Sequence, residues 1–378
     1  MDSCPPLKRA TVAYEISIIQ RTTAAGISTR TQRAGDTTWN IWEDFCHDLH
    51  QDPTLANIDD PIPLLQLFAQ RYRLGEVAPS GHQVRSRTVE GALRAIGQAF
   101  SALGFQDPRL TVSGKLDFRL SRQLSAYKKT DPPPHRVKPI PFPIIAHATD
   151  LCRTANTPYT NALADMLILG FFFLLRPGEY AATDNPDSTP FRFKDVHLLI
   201  NARRLNPFTA TDGELNQVNF LALEFTNQKN GVRGELIGLG RSGHPRWCPV
   251  YAIISRIRHL RAHNAALQTP IYQYYNHSWH SVTSTMLTNQ LRIAITALGS
   301  TYGIQPLDVS VRSLRASGAM ALLSARVDTD VIRLLGRWRS DEMLRYLHVQ
   351  SFPLVAPLAS QMLRQGTYTL IPRIPIHG

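Results

Sequence analysis

Arg312-Ser313-Leu314-Arg315 opens the stretch whose reading decides this chain, and Leu335-Gly336-Arg337-Trp338-Arg339-Ser340-Asp341-Glu342-Met343-Leu344-Arg345-Tyr346-Leu347-His348 closes it. The first segment leads into Gly318, Met320, Leu322 and Leu323, which predicts a helix with Arg312 and Arg315, three residues apart, on one face. Two guanidinium groups so spaced can meet the same anion. In the second segment Gly336 predicts a helix stop, and Ser340 with Asp341 and Glu342 predicts the next helix start, so Tyr346 falls near the middle of a short helix. Read alone, Tyr346 is an ordinary core aromatic beside Met343 and Leu347.

Two upstream segments carry related chemistry. In Leu174-Leu175-Arg176-Pro177-Gly178-Glu179-Tyr180 the proline disfavours helix at Arg176, which predicts an arginine at a joint between two helices. Pro177 suits the first position of the following helix, and Glu179 in its first turn can brace Arg176 or complement the helix dipole. The ordinary reading is a surface arginine with a helical acid. Farther on, Phe220 to Phe225, then Thr226-Asn227-Gln228-Lys229-Asn230-Gly231, then Val232 onward read as strand, turn and strand, with Asn230-Gly231 as the hairpin signal. Lys229 at the tip can reach into a cleft to protonate a leaving oxygen, although hairpin tips carry lysines for solubility too.

The 378 residues carry 41 Lys and Arg against 29 Asp and Glu, a net +12 that favours a polyanionic partner, nucleic acid ahead of an anionic membrane surface. Cys4, Cys46, Cys152 and Cys248 lie far apart, form no CxxC pair and fit reduced thiols, so neither a disulfide framework nor a structural metal is expected. Pro5, Pro6, Lys8 and Arg9 stand where a signal peptide would need an apolar core, so the chain is expected not to be secreted. The apolar run from Leu167 to Leu175 is shorter than the roughly 20 residues that span a bilayer and reads as a buried helix.

The chain is expected to form two domains. Trp42, Phe45, Cys46 and Leu49, then Leu64, Leu65, Phe68 and Tyr72, then Val89, Leu93, Ile96, Phe100 and Leu103 each repeat at helical spacing, which predicts an N-terminal helical bundle over residues 1–130. Arg30, Arg33, Arg85 and Arg87 lie on polar stretches of it, either as solvated helix ends or as phosphate contacts. Residues 131–143, with Pro132, Pro133, Pro134, Pro139, Pro141 and Pro143 around His135, Arg136 and Lys138, read as a stiff basic linker. Residues 144–378 form the second domain, with strands around Phe191 to Ile200 and Gln217 to Leu239 and mostly helices after them to about residue 350. The fold class is mainly α with a small antiparallel β-sheet.

Arg176 with Glu179, a hairpin Lys229, Arg312 before x-x-Arg315, then Gly336-x-Trp338 and Tyr346 together supply a nucleophile, cations for non-bridging oxygens and an acid for a departing oxygen. In that order they resemble the tyrosine recombinase (phage integrase) family, over roughly residues 143 to 350 and most specifically from Arg312 to Gln350. The form from Gly336 to His348 is similar in particular to the recombinases of eukaryotic mobile elements. The resemblance implies an α+β catalytic domain behind a core-binding-like helical domain. Carried over position by position, Arg176 and Arg315 clamp the scissile phosphate, Lys229 is the acid, Tyr346 the nucleophile, Trp338 the second His/Trp position and Glu179 a supporting acid. Arg312 stands where the family usually has His; it stays protonated, so it is assigned to phosphate stabilisation.

The resemblance further implies double-stranded DNA as partner, a homotetramer on two DNA sites, no cofactor, and a segment after the tyrosine, here with Leu354, Val355, Leu358, Met362 and Leu363, that docks on a neighbouring subunit. Packing of that segment within its own subunit is the alternative. A nuclear location follows if the chain is eukaryotic, a cytoplasmic one otherwise, and no membrane partner is expected. Two other functions stay open: a catalytically inactive, domesticated DNA-binding protein, and a type IB topoisomerase-like relaxing enzyme working as a monomer.

Overall fold

The computed structural model describes residues 14–15, 17–19, 21–23, 26–133, 137–185, 187–226 and 234–338. Lys229 and Tyr346, and the segment after Tyr346, lie outside the described residues. The chain divides into two units, Met1–His135 and Arg136–Gly378.

Among the described residues the core of the first unit is built on the helices α1 (Thr29–Asp48), α2 (Ile62–Leu74), α3 (Ser86–Ala102) and α4 (Phe118–Thr130). The Ser28 hydroxyl caps α1 by accepting the Thr31 N–H at 3.2 Å. Trp42, Phe45 and Cys46 face inward from α1 and pack with Leu65, Phe68, Val89, Leu93, Ile96, Phe100 and Leu120. Trp42 meets Phe68 edge-on at 5.3 Å, the arrangement that ring quadrupoles favour. Just past α4, Asp131 accepts from the Ser86 backbone and hydroxyl and from Arg73, which ties the ends of α2, α3 and α4 together. Arg30, Arg33, Arg85 and Arg87 are all exposed.

The second unit wraps helices around a small sheet. Among the described residues, helices α5 (Phe142–Ala155), α6 (Pro158–Phe172), the single turn α7 (Pro177–Tyr180), α8 (Asp212–Gln217), α9 (Pro249–Ala262), α10 (Ser284–Leu298), α11 (Ser313–Ser324) and α12 (Thr329–Leu335) accompany six strands. Strands β1 (Val196–Ile200), β2 (Arg203–Leu205), β3 (Phe220–Phe225) and β4 (Glu235–Gly240) form an antiparallel sheet in the order β2-β1-β3-β4. In β3 and β4, Leu223 sits opposite Ile237 and Phe225 opposite Glu235. A separate hairpin pairs β5 (Gln273–Asn276) with β6 (Ser278–Ser281). It turns on His277 at φ 58°, so the Asn-Gly or Gly signal that marks such turns is missing from the sequence there.

Helix α6 is the axis of this unit. Every residue from Ala162 to Phe171 is buried, which fits an apolar stretch covered on all sides. Its one buried acid, Asp165, is matched by Arg153 and by the Ser255 hydroxyl at 2.9 Å. At Gly318 on α11, an added Cβ would lie 2.3 Å from the Phe171 carbonyl oxygen; the missing side chain lets α11 press directly against α6. Ahead of α5, Lys138 pairs with Asp308 at 2.9 Å and the Ile140 N–H meets the Ser317 hydroxyl at 2.7 Å. Among the described residues no helix is long and apolar enough to cross a membrane.

On α9, the His259 Nε2 accepts the Tyr275 N–H at 2.8 Å and so joins the β5–β6 hairpin to the helix. That bond requires a neutral ring. Burial, with Arg256 and His263 adding to it, pulls His259 down from 6.5 to about 4. A folded-state pKa below the unfolded one means that the contribution is complete above pH 6.5 and is lost as the pH falls through about 4. The unfolding midpoint is therefore expected to drop over that window in wild type and to drop less in His259→Gln, compared by thermal unfolding at matched salt; parallel profiles would contradict it.

Candidate functional site

Two helix ends create the site, and both use the same local device. Helix α6 ends in a Schellman arrangement: Leu175 N–H returns to the Gly170 carbonyl at 3.1 Å, Leu174 N–H to Phe171 at 3.4 Å, and Leu174 sits in the left-handed region at φ 50°. A non-glycine residue there costs about 1–2 kcal/mol. Helix α12 ends likewise, with Trp338 N–H on the Arg333 carbonyl at 3.0 Å, Arg337 N–H on Leu334 at 2.9 Å, and Arg337 at φ 57°.

The second of these ends stops where expected, at Leu335 with Gly336 as its C-cap, but not through a left-handed glycine. Gly336 has an ordinary helical φ of −79°, and the left-handed residue is Arg337. Glycine is needed at 336 for space: a Cβ there would lie 1.7 Å from Cζ3 of Trp338, whose ring folds back over it. The Gly-x-Trp spacing thus records a close approach of backbone and indole.

Arg315 joins the two ends. It is 4% exposed, and its guanidinium donates Nη1 to the Leu174 carbonyl and Nη2 to the Gly336 carbonyl. Its charged plane lies 4.1 Å from the Trp338 ring centre, a cation–π contact in a dry setting. Trp338 packs with Leu174, Ala319 and Ile332.

Arg176 follows two residues after Leu174. Its backbone is extended (φ −80°, ψ 147°), as Pro177 requires, and it caps α7. Glu179 turns back on it: Oε2 accepts the Arg176 backbone N–H at 2.7 Å and Oε1 accepts Nη1 at 3.1 Å. The Arg176 side chain keeps 32% of its surface exposed, while that of Glu179 keeps 10%. Glu179 also accepts from Arg337 Nη2 at 2.9 Å. Arg337 was not singled out in the sequence, since an arginine beside a predicted helix stop gives no hint that the chain buries it.

Arg312 and Arg315 do not share an environment. Arg312 is the N-cap of α11, with helical backbone angles (φ −65°, ψ −23°), and is exposed, whereas Arg315 one turn on is buried. Lys229 belongs to the connection between β3 and β4, and its placement, like that of Tyr346, lies outside the described residues. Tyr180, the tyrosine closest in sequence to Arg176, is fully buried and donates its hydroxyl to the Val311 carbonyl at 3.2 Å; burial pushes its phenol well above 10. It is a core residue. Among the described residues no group of three or more His, Cys, Asp or Glu side chains could hold a metal ion.

The structure brings together Arg176, Glu179, Arg315 and Trp338, and adds Arg337. Glu179 is shared by two guanidinium groups, those of Arg176 and Arg337, and Arg315 is held on main-chain carbonyls, which leaves positive charge in excess, with Arg176 the member open to solvent. Such a cluster can hold a phosphate oxygen.

No family model and no curated protein matches the sequence. Solved structures do match the fold. The Tn1549 transposon integrase in complex with transposon right end DNA is 12% identical, with 92% of this chain and 98% of that chain covered at a TM-score of 0.51. The XerH site-specific recombinase, bound to palindromic difH substrate in a post-cleavage complex, is 14% identical, covering 87% of this chain and 79% of that chain at 0.51. The fold is that of the tyrosine recombinases and integrases. The expected class, mainly helical with a small antiparallel sheet, is the one present. Within this recombinase fold the contacts of Arg315 and of Gly336 with Trp338 are what hold the two helix ends together.

Gly336→Ala is accordingly expected to force Trp338 off Arg315 and to cost about 1–3 kcal/mol, the usual penalty of overpacking. A denaturant midpoint equal to wild type would show that the indole has room to move.

Proposed function

We propose that this chain breaks and rejoins DNA strands as a site-specific recombinase or integrase, through a 3′-phosphotyrosyl intermediate. The observation that carries the reading is the convergence of Arg176, Glu179, Arg315 and Trp338, joined by an Arg315–Leu174 bond that spans 141 residues of sequence. It is supported by a fold shared with an integrase and a recombinase that were each solved on DNA.

The chemistry follows from the residue types. The Tyr346 phenol gives up its proton to water or a neighbouring base, its oxygen attacks the scissile phosphorus, the bond to the 5′ oxygen breaks, and Lys229 supplies the proton that oxygen takes. A free tyrosine has a pKa of about 10, so surrounding cations are needed to favour its phenolate as it attacks. Charge on the non-bridging oxygens is met by Arg176 from its solvent-open position, by Arg315 from a buried one, and by Arg312 and the Trp338 indole N–H. Arg312 donates charge and hydrogen bonds but accepts no proton. Attack by the 5′ hydroxyl of another strand reverses the step, and the bond energy is kept in the covalent intermediate, so no nucleotide need be hydrolysed.

Exchange between two sites fits a homotetramer, with the segment after Tyr346 docking on a neighbouring subunit. The proposed location is the nucleus if the chain is eukaryotic and the cytoplasm otherwise.

Denaturing capture of protein-bound DNA, from cells carrying the flanking sequence of the chain's own gene, tests the reading. Covalent DNA is expected with wild type and none with Tyr346→Phe, and Arg176→Ala or Arg315→Ala should lower the yield by about 10² to 10³, the usual loss on removing one charge-stabilising donor. Salt-sensitive duplex binding without covalent DNA from wild type would favour the non-catalytic DNA-binding protein. Rejoining of only the same ends by a monomer would favour a topoisomerase-like enzyme.

A further inference from the structure

The reaction proposed above leaves Arg337 without a role, yet the chain buries it at a cost. Its side chain is 1% exposed, on a left-handed residue, and its Nε and Nη1 meet no acceptor among the described residues. Burial pulls its guanidinium down to about 10 despite the nearby carboxylates of Glu179 and Glu235. A buried ion pair replaced as a whole by apolar side chains is often no less stable, whereas removing one partner leaves the other charge uncompensated. What Arg337 does have is specific. Nη2 donates to Glu179 Oε2 at 2.9 Å and, at 3.5 Å, to the Leu174 carbonyl, and the guanidinium lies 3.7 Å from the ring centre of Phe225, the last residue of β3 before the connection that contains Lys229.

We propose that Arg337 is a positioning residue for Arg176, acting through the carboxylate of Glu179 that the two arginines share. Glu179 gives Oε1 to the Arg176 side chain, while Oε2 is held by the Arg176 backbone N–H and by Arg337. Without Arg337 the Arg176 backbone N–H is the one remaining donor of the three that keeps Oε2 off the Arg176 guanidinium, so the carboxylate can turn further toward the bidentate geometry that arginine and carboxylate prefer. Arg176 would then be neutralised and drawn back from solvent. With Arg337 in place the carboxylate is divided, Arg176 keeps uncommitted N–H groups, and the cluster keeps its positive excess. The contact with Phe225 makes the same side chain a support for the base of the β3–β4 hairpin. The catalytic consequence rests on the recombinase reading; the positioning of Arg176 does not.

The test uses the full chain labelled with 15N-arginine, in wild type, Arg337→Met, Arg337→Lys and Glu179→Gln. The Arg176 Nε–H signal is identified by its loss in Arg176→Lys, and the buried Arg256 serves as reference. Arg337→Met is expected to move or broaden the Arg176 signal and leave Arg256 unchanged, with Arg337→Lys restoring much of the wild-type signal. On the duplex recovered by covalent capture, Arg337→Met should slow covalent complex formation by about 10²-fold, as a misplaced catalytic group does, with duplex affinity at fixed salt nearly unchanged. The double variant Arg337→Met with Glu179→Gln should be no slower than the slower single variant, because both break one link. An Arg176 signal unchanged in Arg337→Met, or losses that multiply in the double variant, would overturn the proposal. If Arg337→Met does not fold, Arg337→Gln, which keeps a donor and loses the charge, must shift the Arg176 signal for the proposal to stand. Absence of covalent DNA from wild type would count against the recombinase reading alone, and the Arg176 signal would still decide the role of Arg337.

Discussion

A guanidinium taken out of water must be given acceptors, and Arg315 finds them at the carbonyls of Leu174 and Gly336. Those two carbonyls stand at the ends of helices that are far apart in sequence, so satisfying one buried cation fixes one helix end against the other. The rest of the site follows from that constraint. Leu174 must take a left-handed conformation to present its carbonyl, which directs the chain into Arg176. Gly336 must lack a side chain because the Trp338 ring that covers Arg315 lies against it.

The charges are arranged by the same logic. A single carboxylate, Glu179, serves two arginines and a backbone N–H, which leaves more positive charge than negative in a small volume. In water such a cluster would be dispersed by solvation and salt; here it is held by main-chain geometry on both sides. That is the condition under which cations act on a phosphate without having to reorganise as charge develops. Removing water also makes every unpaired donor expensive, and Arg337 Nε and Nη1 meet no acceptor among the described residues.

Much of this architecture could be read in the chain beforehand. Apolar periodicity located the bundle helices at Trp42 to Leu49 and Val89 to Phe100, and the all-apolar run after Asp165 located the central buried helix. The effect of Pro177 on Arg176 is local sterics, and the extended backbone at Arg176 follows it. Less legible were features with no local signature. The β5–β6 hairpin turns on a histidine in place of glycine, and helix ends α6 and α12 place Leu174 and Arg337 in the left-handed region. Each of these is strained locally and is held in place by contacts elsewhere.

By itself, then, the sequence determined the residue types, their order and the local backbone they favour: Arg176 before a proline, Glu179 one turn on, Arg315 three residues after Arg312, and Gly336 two before Trp338. Those depend on neighbours within a few positions. Only the tertiary structure decided that Arg315 is buried and Arg312 exposed, that Glu179 is shared with Arg337, and that Gly336 makes room for an indole. The physical reason is that burial and the pairing of a buried charge depend on which distant backbone comes alongside. Here that is settled by the packing of α11 on α6 at Gly318, where the absence of a side chain lets the two helices meet.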